Sequence, residues 1–387
     1  MYSFDKIIDR KNTNSLKWDV LDGELPMWVA DMDFEVLPEI KEALRNRVEK
    51  GIYGYNIIPE EFYESYMSWW KAEHDFEIEH DWLLFSAGVV PSISSIVRRL
   101  TRPAEKVLIQ TPVYNIFFNS IYNNGRYILE SPLKYENYSY SIDFEDLKLK
   151  LSDQQTTLMI LCNPHNPVGK IWTKEELQKI VELCYKYDVK LISDEIHCDI
   201  TSPSKKYVPI LSVSEHAKEI AIALVAPTKA FNIAGLQTSA LIIPNKDLRH
   251  YVNRGLNNDE IAEPNTFAIW AACAAFKYGH QWNLELREYI EKNKEYVSSR
   301  LKGTLLYPIK QDATYLMWID ISNVSNDSLA FRDYIRKTTG LYLSDGVEYG
   351  ESGRCFLRMN IATPFSNVKD GTERLLKALN LYLNENK

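Results

Sequence analysis

From about residue 82 to residue 243, short apolar runs alternate with longer segments whose apolar positions recur every three or four residues. The runs are Trp82–Phe85, Val107–Ile109, Tyr127–Leu129, Leu158–Leu161, Lys190–Ile192, Ile220–Val225 and Ser239–Ile243. They are continuously apolar rather than alternating, which suits strands buried on both faces. Seven such runs separated by helical patterns predict an α/β fold, a seven-stranded, mostly parallel sheet with helices on both faces. The helical period is clearest from Glu175 to Tyr187, where Leu177, Ile180, Val181 and Cys184 form one stripe and Lys and Glu the other. Ligands of such sheets sit beyond the C-terminal ends of the strands, so polar residues that follow an apolar run carry the most information.

After about residue 280 the pattern changes. A long charged helix, Leu284 to Leu301, leads into strand candidates at Tyr315–Ile319, Leu341–Leu343 and Cys355–Met359. These predict a smaller α+β domain. With 387 residues the chain has room for two cores. The expected division is a large domain over 46–280 and a small domain built from 1–45 and 281–387. No internal repeat or low-complexity tract interrupts it.

Composition narrows the classes. Hydrophobic residues at 45% and charged residues at 25% describe an ordinary globular protein. A net charge of −8 with no basic stretch disfavours nucleic acid and anionic membrane as partners. The first residues lack the apolar core of a secretory signal and no run reaches about 18 apolar residues, so a cytoplasmic location is expected. Cys162, Cys184, Cys198, Cys273 and Cys355 are scattered and odd in number, which argues against a disulfide framework.

Three polar motifs follow apolar runs: Asn163-Pro-His-Asn166-Pro-Val-Gly169, Ser193-Asp194-Glu-Ile-His197 and Ala226-Pro-Thr228-Lys229-Ala-Phe-Asn232. Lys229 stands between an apolar strand and a small-residue turn, where partial burial keeps its amine nucleophilic near neutral pH, as Schiff-base chemistry requires. Asp194 closes a strand and can hold a proton on a pyridine nitrogen, or simply cap a helix. This pairing of a lysine with a carboxylate suits pyridoxal phosphate. The prolines and glycine around Asn163 and Asn166 make a rigid turn whose amides either serve a ligand or satisfy the loop itself.

Ser86-Ala-Gly88-Val89-Val90-Pro91 leaves a strand and opens a helix, whose free N–H groups attract phosphate when a ligand is there at all. Tyr114 ends another strand and can lie flat on a cofactor or pack in the core. Arg358 lies inside an apolar strand, where its fork suits the α-carboxylate of an amino acid or an internal salt bridge. A metal was weighed at His197, Cys198 and Asp199, and at His74 and His80. Neither set has zinc-ligand spacing and no H-E-x-x-H occurs, so no metal is expected. The absence of G-x-G-x-x-G argues against a dinucleotide.

In this order the motifs resemble those of the fold-type-I pyridoxal-phosphate enzymes, the class I and II aminotransferase superfamily, over nearly the whole chain. Phe4–Arg10, Ser15–Asp19, Pro26–Phe34, Tyr53-Gly-Tyr55 and Ala226–Asn232 are similar to the cystathionine β-lyase branch of MalY/PatB type. The resemblance implies a PLP-dependent transferase-like fold. It implies Lys229 as the Schiff-base residue, Asp194 at the ring nitrogen, Asn166 at the ring oxygen and Tyr114 stacked on the ring, with His197 among the cofactor-binding residues in a role the resemblance leaves open. Gly88, Val89, Val90 and Thr228 would hold the phosphate, with Tyr55 from the other subunit of a homodimer. Arg358 and Asn166 would hold the substrate, bordered by Val29 and Ala30.

Two departures from the aminotransferase pattern stand out. Ala226 and Gln237 occupy positions where many of those enzymes have a phosphate-binding serine and arginine, and His197 replaces a common tyrosine. The implied activity is α,β-elimination of L-cystathionine or a related cysteine S-conjugate to a thiol, pyruvate and ammonia, as in methionine biosynthesis. Lys229 would be the base, and Tyr55 or Lys229 would protonate the departing sulfur. The alternative is an aminotransferase acting on an L-amino acid, and a more distant one a regulatory binding protein.

Overall fold

A computed structural model describes residues 2–385 of the chain, and in it the seven apolar runs form strands of one sheet. In chain order they are β1 (Leu83–Ser86), β2 (Lys106–Ile109), β3 (Tyr127–Glu130), β4 (Thr156–Cys162), β5 (Lys190–Asp194), β6 (Ala221–Val225) and β7 (Ser239–Ile242). Their spatial order is β1-β7-β6-β5-β4-β2-β3, with β7 antiparallel to both of its neighbours and the other pairings parallel.

Burial on both faces explains why the runs are continuously apolar. Along β4, Leu158, Ile160 and Cys162 enter one core while Met159 and Leu161 enter the other. Five helices cover these two faces. The first core is closed by α3 (Val89–Leu100) and α5 (Lys246–Asn258), the second by α4 (Lys174–Lys186) and by α2 (Glu60–His74) with α6 (Ala268–Tyr278). The buried stripe of α4 is Leu177, Ile180, Val181 and Cys184, and a Thr173–Glu176 capping box starts the helix.

The smaller unit comprises α7 (His280–Leu301), α8 (Ser328–Thr339), α9 (Phe365–Glu385) and an antiparallel sheet of β8 (Tyr307–Pro308), β9 (Leu316–Asp320), β10 (Ser344–Asp345) and β11 (Phe356–Asn360), ordered β8-β9-β11-β10. The segment expected as one strand at Leu341–Leu343 behaves differently. Leu341–Tyr342 pairs in parallel with Leu25–Pro26, and the following Ser344–Asp345 joins the sheet instead. The N-terminal segment is thereby fastened to the smaller unit. Close packing reinforces it, since a Cβ on Gly371 would collide with Met27 Sδ.

The boundary expected at residue 46 falls inside α1 (Pro38–Lys50), a continuous helix that packs against α6 of the larger unit. Four of the five cysteines are buried and all five are free. Among the described residues no helix is long and apolar enough to cross a membrane.

Leu224, on the central strand β6, is fully buried and its register partners lie on β5 and β7. Leu224→Ala should lower the stability by about 2–5 kcal/mol through lost transfer energy and an unrelaxed cavity, read from the midpoint of urea unfolding.

Candidate active site

The C-terminal ends of the parallel strands converge on a cavity of about 220 Å³. Each strand delivers its residue by leaving the sheet at the same edge. Asp194 is the last residue of β5, Lys229 stands four residues beyond β6, and Asn166 four beyond β4. All three line the cavity, as do Gly88, Val89 and Val90 from the start of α3. Tyr114, His197, Thr228 and Ala30 line it too.

Lys229 Nζ donates to the Ala30 carbonyl at 2.7 Å. Burial, and then the neighbouring Arg358 charge, lower its pKa to about 8, so a useful fraction of the amine is neutral near physiological pH. Asp194 accepts from the Ile196 amide at 3.1 Å, and burial raises its carboxyl to about 7. The ionised form of Asp194 therefore gains most from a cation placed in the cavity. His197 is driven down to about 3 by burial and by Lys229 and Arg358, so it is neutral, and its Nδ1 has no partner.

Arg358, on β11, reaches the same region from the smaller unit. One amino group donates to the Trp28 carbonyl at 2.9 Å, the other to Asn166 Oδ1 at 3.4 Å, and the guanidinium stands 4.8 Å from the Tyr349 ring centre. Its Nε is buried without a partner. Among the described residues no carboxylate pairs with Arg358, Lys229 or Asp194's neighbourhood cations, so the internal salt bridge that the sequence left open for Arg358 is not formed.

Tyr55 is placed elsewhere. It is fully exposed on the irregular stretch between α1 and α2 and does not line the cavity of its own chain. Beside it, Ile52 and Ile57 are also largely exposed.

Several residues at the site carried no separate signal in the sequence. Asn232 accepts from the Met32 amide at 3.0 Å and donates to the Met32 and Phe34 carbonyls at 3.1 and 2.9 Å. Tyr315 donates to the same Ala30 carbonyl as Lys229, at 3.0 Å, and Asn360 donates to the Val29 and Asp31 carbonyls. These side chains bind backbone, so no pattern of partner residues marks them. For Asn360 alone there was a hint, a polar residue closing an apolar strand as Asp194 does. Together they hold residues 28–34 as a strap across the mouth of the cavity.

The donor set fits pyridoxal phosphate. A lysine of lowered pKa faces a buried carboxylate, unpartnered polar atoms wait at His197 Nδ1 and Thr238 Oγ1, and the open N-terminus of α3 offers amides to a phosphate. At the position after β6 where an arginine would add charge, the cavity is lined by Gln237.

Residues 26–375 match the aminotransferase class I and II family. The chain is 39% identical over 386 residues to cystathionine beta-lyase PatB of Bacillus subtilis, covering 97% of this chain and 100% of that protein. Among solved structures, cystalysin of Treponema denticola, which contains a pyridoxal 5′-phosphate cofactor, superposes with a TM-score of 0.95 at 34% identity, covering 98% and 99% of the two chains. The PLP-bound C-S lyase of Staphylococcus hominis gives a TM-score of 0.91 at 32% identity, with 98% of each chain covered.

Asn232→Ala removes all three of its tethers to the strap. About 1–3 kcal/mol of local stability should be lost, seen as faster amide hydrogen exchange at Met32 with the sheet amides unchanged.

Proposed function

The chain belongs to the aminotransferase class I and II family, and we propose that it is a pyridoxal-phosphate-dependent carbon–sulfur lyase acting on L-cystathionine or related cysteine S-conjugates. The observation that carries this is the buried Arg358 guanidinium, with no carboxylate partner and a free Nε, beside a lysine of lowered pKa, a receptor for an α-amino acid. The full-length similarity to a cystathionine beta-lyase selects elimination over transamination.

Bound pyridoxal phosphate supplies an aldehyde that captures the substrate amine and a ring that takes up electrons from Cα. The chain's residues then do the following. Arg358 and Asn166 hold the substrate carboxylate, the fork of Arg358 fixing its orientation. Lys229 Nζ would take the Cα proton, a role its lowered pKa suits. Asp194 keeps a proton on the ring nitrogen, and that positive charge in turn keeps Asp194 ionised. The amides of Gly88, Val89 and Val90, with Thr228, hold the phosphate, Tyr114 covers the ring and His197 meets the ring oxygen as a neutral donor. Lys229, or Tyr55, protonates the sulfur as it leaves Cβ. Loss of the thiol and hydrolysis of the remaining enamine yield pyruvate and ammonia.

Tyr55 enters this scheme only from a second copy of the chain. The exposed Ile52, Tyr53, Tyr55 and Ile57 form an apolar stretch of the kind that marks an interface, which supports a homodimer with shared sites. The division into a large domain ending near residue 280 and a small one around it remains part of this proposal, as does a cytoplasmic enzyme.

Incubation with L-cystathionine and no keto-acid acceptor should release pyruvate and thiol over many turnovers. A single turnover that stops would mean transamination. Lys229→Ala should lose both the cofactor's protein-linked absorbance and elimination, and Arg358→Ala should raise KM about 10- to 100-fold, the range for a lost charged hydrogen bond. Because the neutral amine is the reacting form, reloading of the apoenzyme with pyridoxal phosphate should quicken as pH rises through about 8 and slow below it.

A further inference from the structure

A second cavity, of about 420 Å³, lies on the other side of the segment that carries Asp194 and His197, and it shares no lining residue with the active site. His74 at the end of α2 lines it together with Cys198 and Asp199, and one ligand atom from each of the three lies within 4.8 Å of the others. Neither histidine set has ligand spacing along the sequence. The fold joins one member of one set to two of the other, bringing His74 to Asp199 across 125 residues.

Asp199 is 5% exposed, and its two oxygens differ. Oδ1 accepts from Trp69 Nε1 at 2.9 Å and lies 2.8 Å from His74 Nε2. Oδ2 is buried with no nitrogen or oxygen donor, and the Cys198 thiol is the other side chain bonded to this carboxylate. Trp69 and His74 account for Oδ1, while a thiol is a weak donor for a buried carboxylate oxygen. Arg287 also lines the cavity but donates to Thr201 and to the Ser202 carbonyl rather than to Asp199.

A thiol sulfur, an imidazole nitrogen and a carboxylate oxygen at this spacing are the donor mixture of a borderline-soft divalent cation. We propose that His74, Cys198 and Asp199 bind a zinc-class divalent cation, with water entering from the open side of the cavity as the remaining ligand. On binding, Cys198 Sγ releases its proton to solvent and ligates as thiolate, His74 gives up the Nε2 proton it shares with Asp199 Oδ1, keeps its proton on Nδ1 and ligates through Nε2, and Asp199 ligates through Oδ2 while Oδ1 keeps Trp69. The site is fastened to the active-site turn, because the Cys198 amide donates to the Glu195 carbonyl and the Ile200 amide to the His197 carbonyl, each at 3.0 Å.

The probe is Co²⁺ added to metal-free holoenzyme, with difference spectra recorded against the untreated holoenzyme. One cobalt per chain should bind with a thiolate-to-cobalt charge-transfer band in the near ultraviolet. Cys198→Ser should lose that band and bind at least 10-fold more weakly, and His74→Gln should bind at least 10-fold more weakly while keeping the band at saturation. Zinc should displace the cobalt and abolish the band. Stoichiometric cobalt with no thiolate band overturns the site, as does wild-type affinity no greater than that of the variants. If Cys198→Ser does not fold, judged by cofactor absorbance and circular dichroism, the wild-type band and His74→Gln decide it. The readout is metal and not elimination, so it stands or falls independently of the lyase assignment.

Discussion

A lysine amine, a carboxylate and a guanidinium share one largely buried space, and none of the three neutralises another by direct contact. Three ionisable groups held apart in low dielectric are costly unless something answers each charge. The shifts express that cost, with Lys229 lowered to about 8 and Asp194 raised to about 7. Under the proposed function a zwitterionic amino acid and a phosphorylated pyridine would together answer it, a carboxylate at Arg358 and a protonated ring nitrogen at Asp194. Most of the tertiary structure around the cavity serves to prevent these groups from collapsing onto one another.

The strap shows how this is done. Backbone carbonyls from Trp28 to Phe34 accept from Arg358, Asn360, Lys229, Tyr315 and Asn232, so neutral acceptors occupy the donors of the cationic groups where counter-ions would otherwise be drawn in. The strap's own charges are settled at its other edge. Lys17 is 1% exposed and binds Asp33 at 2.9 Å, while Arg10 spans Asp31 and Asp33 at 2.8 Å each. A buried network of this kind holds a geometry more than it adds net stability, which is the property a reacting site requires.

The sheet was legible because its signal is local. A strand covered on both faces must be apolar at every position, so seven unbroken runs stood out, and polar residues just beyond several of them pointed at the cavity. Lys229, Asp194 and Asn166 were visible for that reason. Tyr315 and Asn232 were not, since each contacts main chain, which has no sequence identity to match. The pairing of Leu341–Tyr342 with Leu25–Pro26 escaped for a similar reason, two-residue strands being too short to show a period.

By itself the sequence determined which residues are chemically competent and on which strand end each stands, because burial periodicity and strand-end polarity are properties of neighbours along the chain. Only the tertiary structure decided which of them meet. It brought Arg358 from the smaller unit to Asn166, left Tyr55 on the surface of its own chain, divided the N-terminal residues between two units, and set His74 against Cys198 and Asp199. Those outcomes depend on contacts between segments a hundred or more residues apart, and distance along the chain carries no record of distance in space.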